Sequence, residues 1–400
     1  MSLIDAIQPG VLEKGASCYV DSSQDCGLEN VISKPMNPSE STSRMRFWLE
    51  KAGSGFLFVL FFSGTLFGQG LRQQAEQKFG GDSRIWFNEL GDTGLSRWDA
   101  VEYTQEIGII LDWNSKRIVI VRPDAERETT IPGDSVSRIE PTWTQPNAAE
   151  FHRLFVEREF TAAIKLGSET IKKPGTPVWQ QRIILAEMIE SMMAIGKPSL
   201  ACQLYVSLAA ENSPQLLLST IPLSWGDDKL EADAAKIQPM ASDWLLSENE
   251  AHQLLGAGWL LKGPKRLLAI ETLTSLSKSK SAWIASYARC QLWRIAPPAE
   301  IQSTLLPKWI ADRDRIPLAM QAGPSMLLAY RMSQAGESML AVGEWLRIAT
   351  LHSDRYHFAN SAWTKAIESL NALDKKDDAA KAKRMHEQFA GKDIARNSKQ

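Results

Sequence analysis

The chain has 400 residues, 44% hydrophobic and 23% charged, with 45 Lys+Arg against 47 Asp+Glu for a formal net charge of −2. This balance excludes a disordered chain, a collagen-like chain, a disulfide miniprotein and a polytopic membrane protein, and leaves no global electrostatic case for nucleic acid. One count is unusual: 14 Trp against 6 Tyr.

Residues 1–44 include a Ser/Pro/Asn-rich stretch (NPSESTS) and show neither helical nor strand periodicity. They read as a disordered or mis-called extension ahead of a true start at Met45. Residues 45–70 read as a signal peptide. Arg44, Arg46 and Lys51 form a basic flank, and residues 55–67 carry no charge. That stretch is shorter than the roughly 20 apolar residues of a membrane span and fits a signal h-region. Gly68 and Gly70 place small residues two apart, predicting cleavage after Gly70. Two other readings of 55–67 stay open: an uncleaved membrane anchor, and a core helix burying Phe58 and Phe62. Residues 1–70 hold five basic and seven acidic residues, so a chain starting at Leu71 has 40 of each and is neutral. It also lacks Cys18 and Cys26. Cys202 and Cys290 remain in apolar helical runs, where buried thiols or a disulfide are the alternatives. Neither belongs to a CxxC motif.

Residues 83–141 read as a small β module. Ile107, Ile109 and Leu111 alternate along one strand, and Ile118–Val121 is β-branched on both faces. Turns are predicted at Trp113-Asn114-Ser115, Pro123-Asp124 and Pro132-Gly133-Asp134. Over residues 105–140 the pattern resembles SH3-like small barrels, a fold that by itself implies no activity. Trp86 and Trp98, in RIWFNELGDTGLSRWD, either pack on the barrel or line a binding face.

Beyond Pro141 helical periodicity takes over, predicting a mostly α chain with an α-solenoid over 147–391. Six helix pairs are expected, at about 149–158/159–172, 177–195/198–211, 247–261/264–277, 281–295/298–312, 323–335/337–351 and 355–373/376–391. From the third pair onward, pair starts fall roughly 32 to 42 residues apart, around the TPR and HEAT periods. REFTAAIKLGSETI and LDKKDDAAKAKRMHEQF resemble the second helix of a TPR unit. The stretch from Leu254 to Arg294 resembles a HEAT-type pair and the helix after it. The long insert 213–246 has three prolines, and one short helix is expected near 228–237. It is too apolar for disorder, so it is expected to pack across the solenoid, in its groove. Residues 392–400 form a polar tail expected to fray.

No GxGxxG after a strand, Walker A, HExxH, GxSxG or EF-hand loop occurs. The five His (His152, His252, His352, His357, His386) lack metal-like spacing. Ser277-Lys278-Ser279-Lys280 matches S-x-x-K only as a polar loop. No catalytic residue, cofactor or metal is therefore expected. The leading expectation is an exported, periplasmic or cell-envelope interaction scaffold. It would hold a protein or peptide on the solenoid surface, with Trp225, Trp244, Trp86 and Trp98 as the candidate binding residues. The alternative is a cell-wall or polysaccharide binder using exposed Trp, and a third reading is an enzyme with an unrecognised site. No nucleic acid is expected, and membrane contact follows only if 55–67 stays uncleaved. As a whole the chain resembles exported bacterial proteins that join a small β module to TPR/HEAT-like repeats.

Overall fold

In the computed structural model, which describes residues 70–88, 103–124, 127–210, 212–226, 234–297 and 305–397, a short helix leads into an antiparallel sheet and then a helical region. The extension 1–44, residues 45–69 with Phe58 and Phe62, Cys18, Cys26 and Trp98 lie outside the described residues. Among the described residues no helix is long and apolar enough to cross a membrane.

Five strands form the sheet: β1 (Ser83–Asn88), β2 (Tyr103–Trp113), β3 (Arg117–Val121), β4 (Glu128–Pro132) and β5 (Val136–Glu140). All pairs are antiparallel, in the order β4-β3-β2-β1-β5. β1 alternates Ile85 and Phe87 inward with Arg84 and Trp86 outward, so one face is core and the other meets solvent. β2 pairs with β1 through Tyr103–Gly108 and with β3 from Ile109 on, and its register shifts between Ile110 and Asp112. That bulge bends one strand so that it serves two half-sheets. β3 is buried on both faces. One cover was not foreseen: α1 (Leu71–Phe79) seats Ala75 against Ile109 and Val121, with Phe79 and Leu111 beside it. Its sequence, LRQQAEQKF, buries only Ala75 and so carries no apolar stripe.

The helical region runs through α2 (Pro146–Val156), α3 (Phe160–Ile171), α4 (Val178–Ala194), α5 (Pro198–Ala210), the single turn α6 (Gln215–Leu218), α7 (Ala234–Leu245), α8 (Glu250–Leu260), α9 (Arg266–Leu276) and α10 (Ala282–Leu292). It continues through α11 (Leu306–Asp314), α12 (Ala322–Gln334), α13 (Ser338–Leu351), α14 (Tyr356–Ala372) and α15 (Lys376–Asn397). Among the described residues, four helix pairs share one three-residue turn. Arg158, Gly196, Gly336 and Asp374, each two residues past a helix end, adopt φ of 64°, 69°, 82° and 57°. The next amide reaches back to close the helix: Glu159 to Leu154 O, Lys197 to Met192 O, Glu337 to Met332 O and Lys375 to Leu370 O, at 2.8–2.9 Å. This left-handed cap satisfies terminal carbonyls and reverses the chain into the following helix.

Two boundaries differ from expectation. The insert holds a twelve-residue helix, α7, where a short one near 228–237 was expected. Pro239 lies inside it and argued against any long helix. Packing on α8 outweighs that penalty, because Gly256 lets α8 approach the α7 backbone: a Cβ there would lie 2.8 Å from Leu245 N. At the far end α15 continues to Asn397, past the expected fraying point at 391.

The sheet and helices are joined by specific bonds. Arg182 of α4 donates to the Trp113 carbonyl at 2.7 Å, and Gln180 donates to the Thr142 carbonyl and accepts from the Thr144 hydroxyl. Contacts in the array are not confined to sequence neighbours. α8, α10, α12 and α14 touch in next-but-one order, and α14 also touches α4. The first and last hairpins also meet. Arg158 stacks over Tyr356 and Phe389, 4.7 and 4.1 Å from their ring centroids, and Phe160 lies 5.3 Å from Tyr356.

Candidate functional site

The array's interior is filled by its own chain. Ile221–Trp225 has no regular structure, yet every residue in it is buried. Buried backbone needs hydrogen-bond partners, and the surrounding helices supply them. Trp259 Nε1 of α8 donates to the Pro222 carbonyl at 2.9 Å, and Gln291 Nε2 of α10 to the Ser224 carbonyl at 3.2 Å. Just upstream, Tyr205 of α5 donates to the Leu218 carbonyl at 3.1 Å, and Arg355 to Ser219 Oγ at 2.9 Å. Two glycines make room: a Cβ on Gly258 would overlap Leu223, and one on Gly323 would overlap the Trp225 indole. This strap packs among α5, α8, α10 and α12.

The same geometry corrects Trp225 as a binding residue. It is 3% exposed and makes an edge-on contact with Tyr287 at 5.2 Å. Its size fills the space between α10 and α12. Trp244 sits half-buried on α7. Trp86 is half-buried on the outer sheet face under Arg138, whose guanidinium is 4.8 Å from the ring centroid. Trp113, Trp179, Trp259, Trp283, Trp293, Trp309, Trp345 and Trp363 are all buried.

Beside the strap lies a buried polar junction. Arg355 pairs with Glu190 of α4, and His357 Nδ1 stands 3.0 Å from the second Glu190 oxygen. Burial alone would push the Glu190 carboxyl up, but Arg355 and His357 outweigh it and hold it at about 2. On the adjoining helices Arg313 pairs with Glu344, which also receives Arg347 at 3.3 Å. Ser325 Oγ joins the two arginines, at 3.2 and 3.0 Å. His352 is 2% exposed, and burial followed by Arg347, Arg355 and Arg313 holds it down at about 3. It is therefore a neutral imidazole near pH 7. Carboxylates and histidines do converge here, as an enzyme site requires. Each carboxylate is matched by an arginine, however, and the paired side chains are only 6–16% exposed. The arrangement suits tying helices together.

Other reactive groups are held quietly. Cys202 and Cys290 are free and buried, and burial pushes both thiols well up. Ser247 Oγ lies 3.1 Å from His252 Nδ1, and His252 Nε2 lies 2.9 Å from the Val206 carbonyl. This pair was missed by sequence reading because the two residues match no nucleophile motif. Ser247 Oγ also accepts the Asn249 amide, and Asn249 caps α8, so the cluster secures a helix start. His152 Nδ1 meets the half-buried Glu187 at 2.8 Å, joining α2 to α4. Burial raises the Glu187 carboxyl. Among the described residues no group of three or more His, Cys, Asp or Glu could hold a metal ion.

What the array presents outward is apolar at two equivalent places. The second and third residues of α3, α9, α11, α13 and α15 are all exposed. They are Thr161-Ala162, Leu267-Leu268, Pro307-Lys308, Met339-Leu340 and Asp377-Asp378. Of these five pairs, those of α9 and α13 consist of two large apolar residues, with Leu267 83% and Met339 55% exposed.

Comparison with family models, curated proteins and solved structures finds no match to this chain.

Proposed function

We propose that the chain is an exported, non-catalytic interaction scaffold whose protein or peptide partner docks on the outer helical surface. The observation that carries this reading is the pair of exposed apolar dipeptides, Leu267-Leu268 and Met339-Leu340, at equivalent positions of two outer helices. Large apolar side chains exposed together mark interaction sites more often than solitary ones do. The interior strap turns the docking surface outward, since the groove a solenoid offers to a peptide already holds residues 213–226.

In this reading the helical region is a degenerate TPR/HEAT-like solenoid. The shared three-residue turn and the next-but-one packing support that, while the contact between its two ends departs from strictly nearest-neighbour stacking. The sheet is an SH3-like small barrel, supported by the order β4-β3-β2-β1-β5 and the bulged, shared β2. Export rests on the sequence of residues 45–70, and α1, starting at Leu71, would survive the predicted cut whole. The polysaccharide reading asks for exposed Trp, whereas the described Trp are buried or half-buried.

Photo-crosslinking tests the scaffold. A photoreactive residue at position 267 or 339 of the mature chain should give discrete protein adducts in an envelope fraction. Leu268→Asp and Leu340→Asp should abolish them at the respective sites without lowering stability. Recovery of wall glycan with no protein adduct would overturn the proposal.

A further inference from the structure

We propose that Ser247, in the turn between α7 and α8, is a site of covalent O-acylation, its hydroxyl taking an acyl group from a neutral activated ester with His252 as the base. The proposal stands apart from the scaffold reading and needs no turnover. Ser247 Oγ lies 3.1 Å from His252 Nδ1, and His252 Nε2 lies 2.9 Å from the Val206 carbonyl of α5. A carbonyl only accepts hydrogen bonds, so the ring proton sits on Nε2. Nδ1 then presents its lone pair, and the Ser247 hydroxyl donates to it. Burial lowers the His252 pKa from 6.5, against the opposing effect of the Val206 carbonyl, so the imidazole is neutral at pH 7 and able to take a proton. A serine bonded to an imidazole that a third group orients is the arrangement of an activated nucleophile. Other hydroxyls differ: Ser168 and Ser213 donate to the carbonyls of Ile164 and Leu208, which cannot take the proton.

The contacts that secure the start of α8 also hold this pair in place. The Ser247 carbonyl accepts from Gln253 Nε2 at 2.6 Å, and its amide donates to the Trp244 carbonyl at 3.1 Å. Asn249 caps α8 through Oδ1 and donates from Nδ2 to the Ala209 carbonyl at 3.0 Å, fixing the helix start on α5. Ser247 and His252 are each half-buried rather than enclosed. In the step, Ser247 Oγ attacks the ester carbonyl carbon as its proton passes to Nδ1. The Oγ–C bond forms, the bond from that carbon to the leaving oxygen breaks, and the leaving group takes the proton from the imidazolium. The Asn249 amide donates to Oγ at 3.1 Å, and with the positive end of α8 it supports the negative charge that develops as the proton leaves. Glu248 and Glu250, both exposed, flank the site in sequence and disfavour an anionic donor.

The test treats the full chain with p-nitrophenyl acetate and maps acetyl groups by peptide mass spectrometry over time. Acetylation of Ser247 is expected, far faster in the folded protein than at the same serine in urea. Ser247→Ala should remove that adduct, and His252→Ala should slow it about a hundredfold, the lower end of what a positioned base contributes. Circular dichroism verifies the fold of each variant. The pH profile of the wild type supplies a readout that a purely structural histidine would not move: the rate at Ser247 should rise through one titration below pH 6.5 and level off above it. This profile decides the matter if His252→Ala does not fold. Acetylation confined to lysines overturns the proposal, as does a rate at Ser247 no higher than in the unfolded chain. So does undiminished acetylation in folded His252→Ala, or a rate that climbs through pH 8 without a plateau, as an unassisted hydroxyl gives.

Discussion

Arg355, in the turn ahead of α14, forms a buried ion pair with Glu190 of α4 across 165 residues of chain. It also holds Ser219 of the strap, so one guanidinium ties α4 and the turn ahead of α14 to the segment between them. Removing one partner leaves a buried charge without its counterion. Glu190→Gln should therefore cost about 3–5 kcal/mol in urea unfolding, while replacing Glu190 and Arg355 together by Leu and Met should cost much less. A double variant as unstable as the sum of the singles would contradict the pairing.

Two glycines should respond with opposite signs. Gly323 faces the Trp225 ring with no space for a Cβ, so Gly323→Ala should lose about 1–3 kcal/mol through overpacking. Gly343 lies inside α13, exposed, with nothing within 4 Å of a Cβ. Gly343→Ala should gain about 0.5–1 kcal/mol from helix propensity. Thermal melts of the two variants check both.

Acid should unfold the protein through two groups. His352 has its value lowered from 6.5 to about 3 in the fold. The unfolded chain thus takes up a proton below pH 6.5 that the folded state refuses until about pH 3. Stability is full above pH 6.5 and falls over that window, by on the order of 5 kcal/mol. Glu190, lowered from 4.5 to about 2, adds a loss between pH 4.5 and 2. In His352→Asn the fall between pH 6 and 4 should be shallower by about 1.4 kcal/mol per pH unit. An unchanged slope would remove His352 as the cause.

Both thiols should stay silent in the native state. Cys202 and Cys290 are free, fully buried and raised by burial, so a thiol reagent should label neither until denaturant is added. Rapid labelling of either in the folded protein would be incompatible with this packing.

N-terminal sequencing of the native protein should read Leu71 onward, in keeping with a cut after Gly70. Recovery of peptides from residues 1–40 would refute the signal-peptide reading.

Local signals in the sequence were legible where the chain's own neighbours decide the outcome. Gly196 ahead of Pro198 marks a hairpin turn, as does Gly336, and both prove left-handed. The same turn at Arg158 and Asp374 was hidden, because those side chains do not advertise a positive φ. α1 was hidden for a related reason: it is held by one buried Ala on a sheet whose exposed strand face needed a cover. α7 was obscured by Pro239 and appears because α8 offers Gly256 to its backbone. Trp225 illustrates the limit for the site. Its apolar, proline-rich surroundings showed that the insert packs on something, but a Trp that fills a core and one that grips a partner read alike in one dimension.

By itself the sequence determined the mostly helical content, the small β module ahead of it, and the short-range turns, since propensity and periodicity act over a few residues. Only the tertiary structure decided that the two ends of the array meet, that residues 213–226 occupy its interior, and that the Trp excess is mostly core. Each of those outcomes depends on contacts between residues tens to hundreds of positions apart, such as Arg158 with Phe389 and Glu190 with Arg355, where no local pattern records the partner.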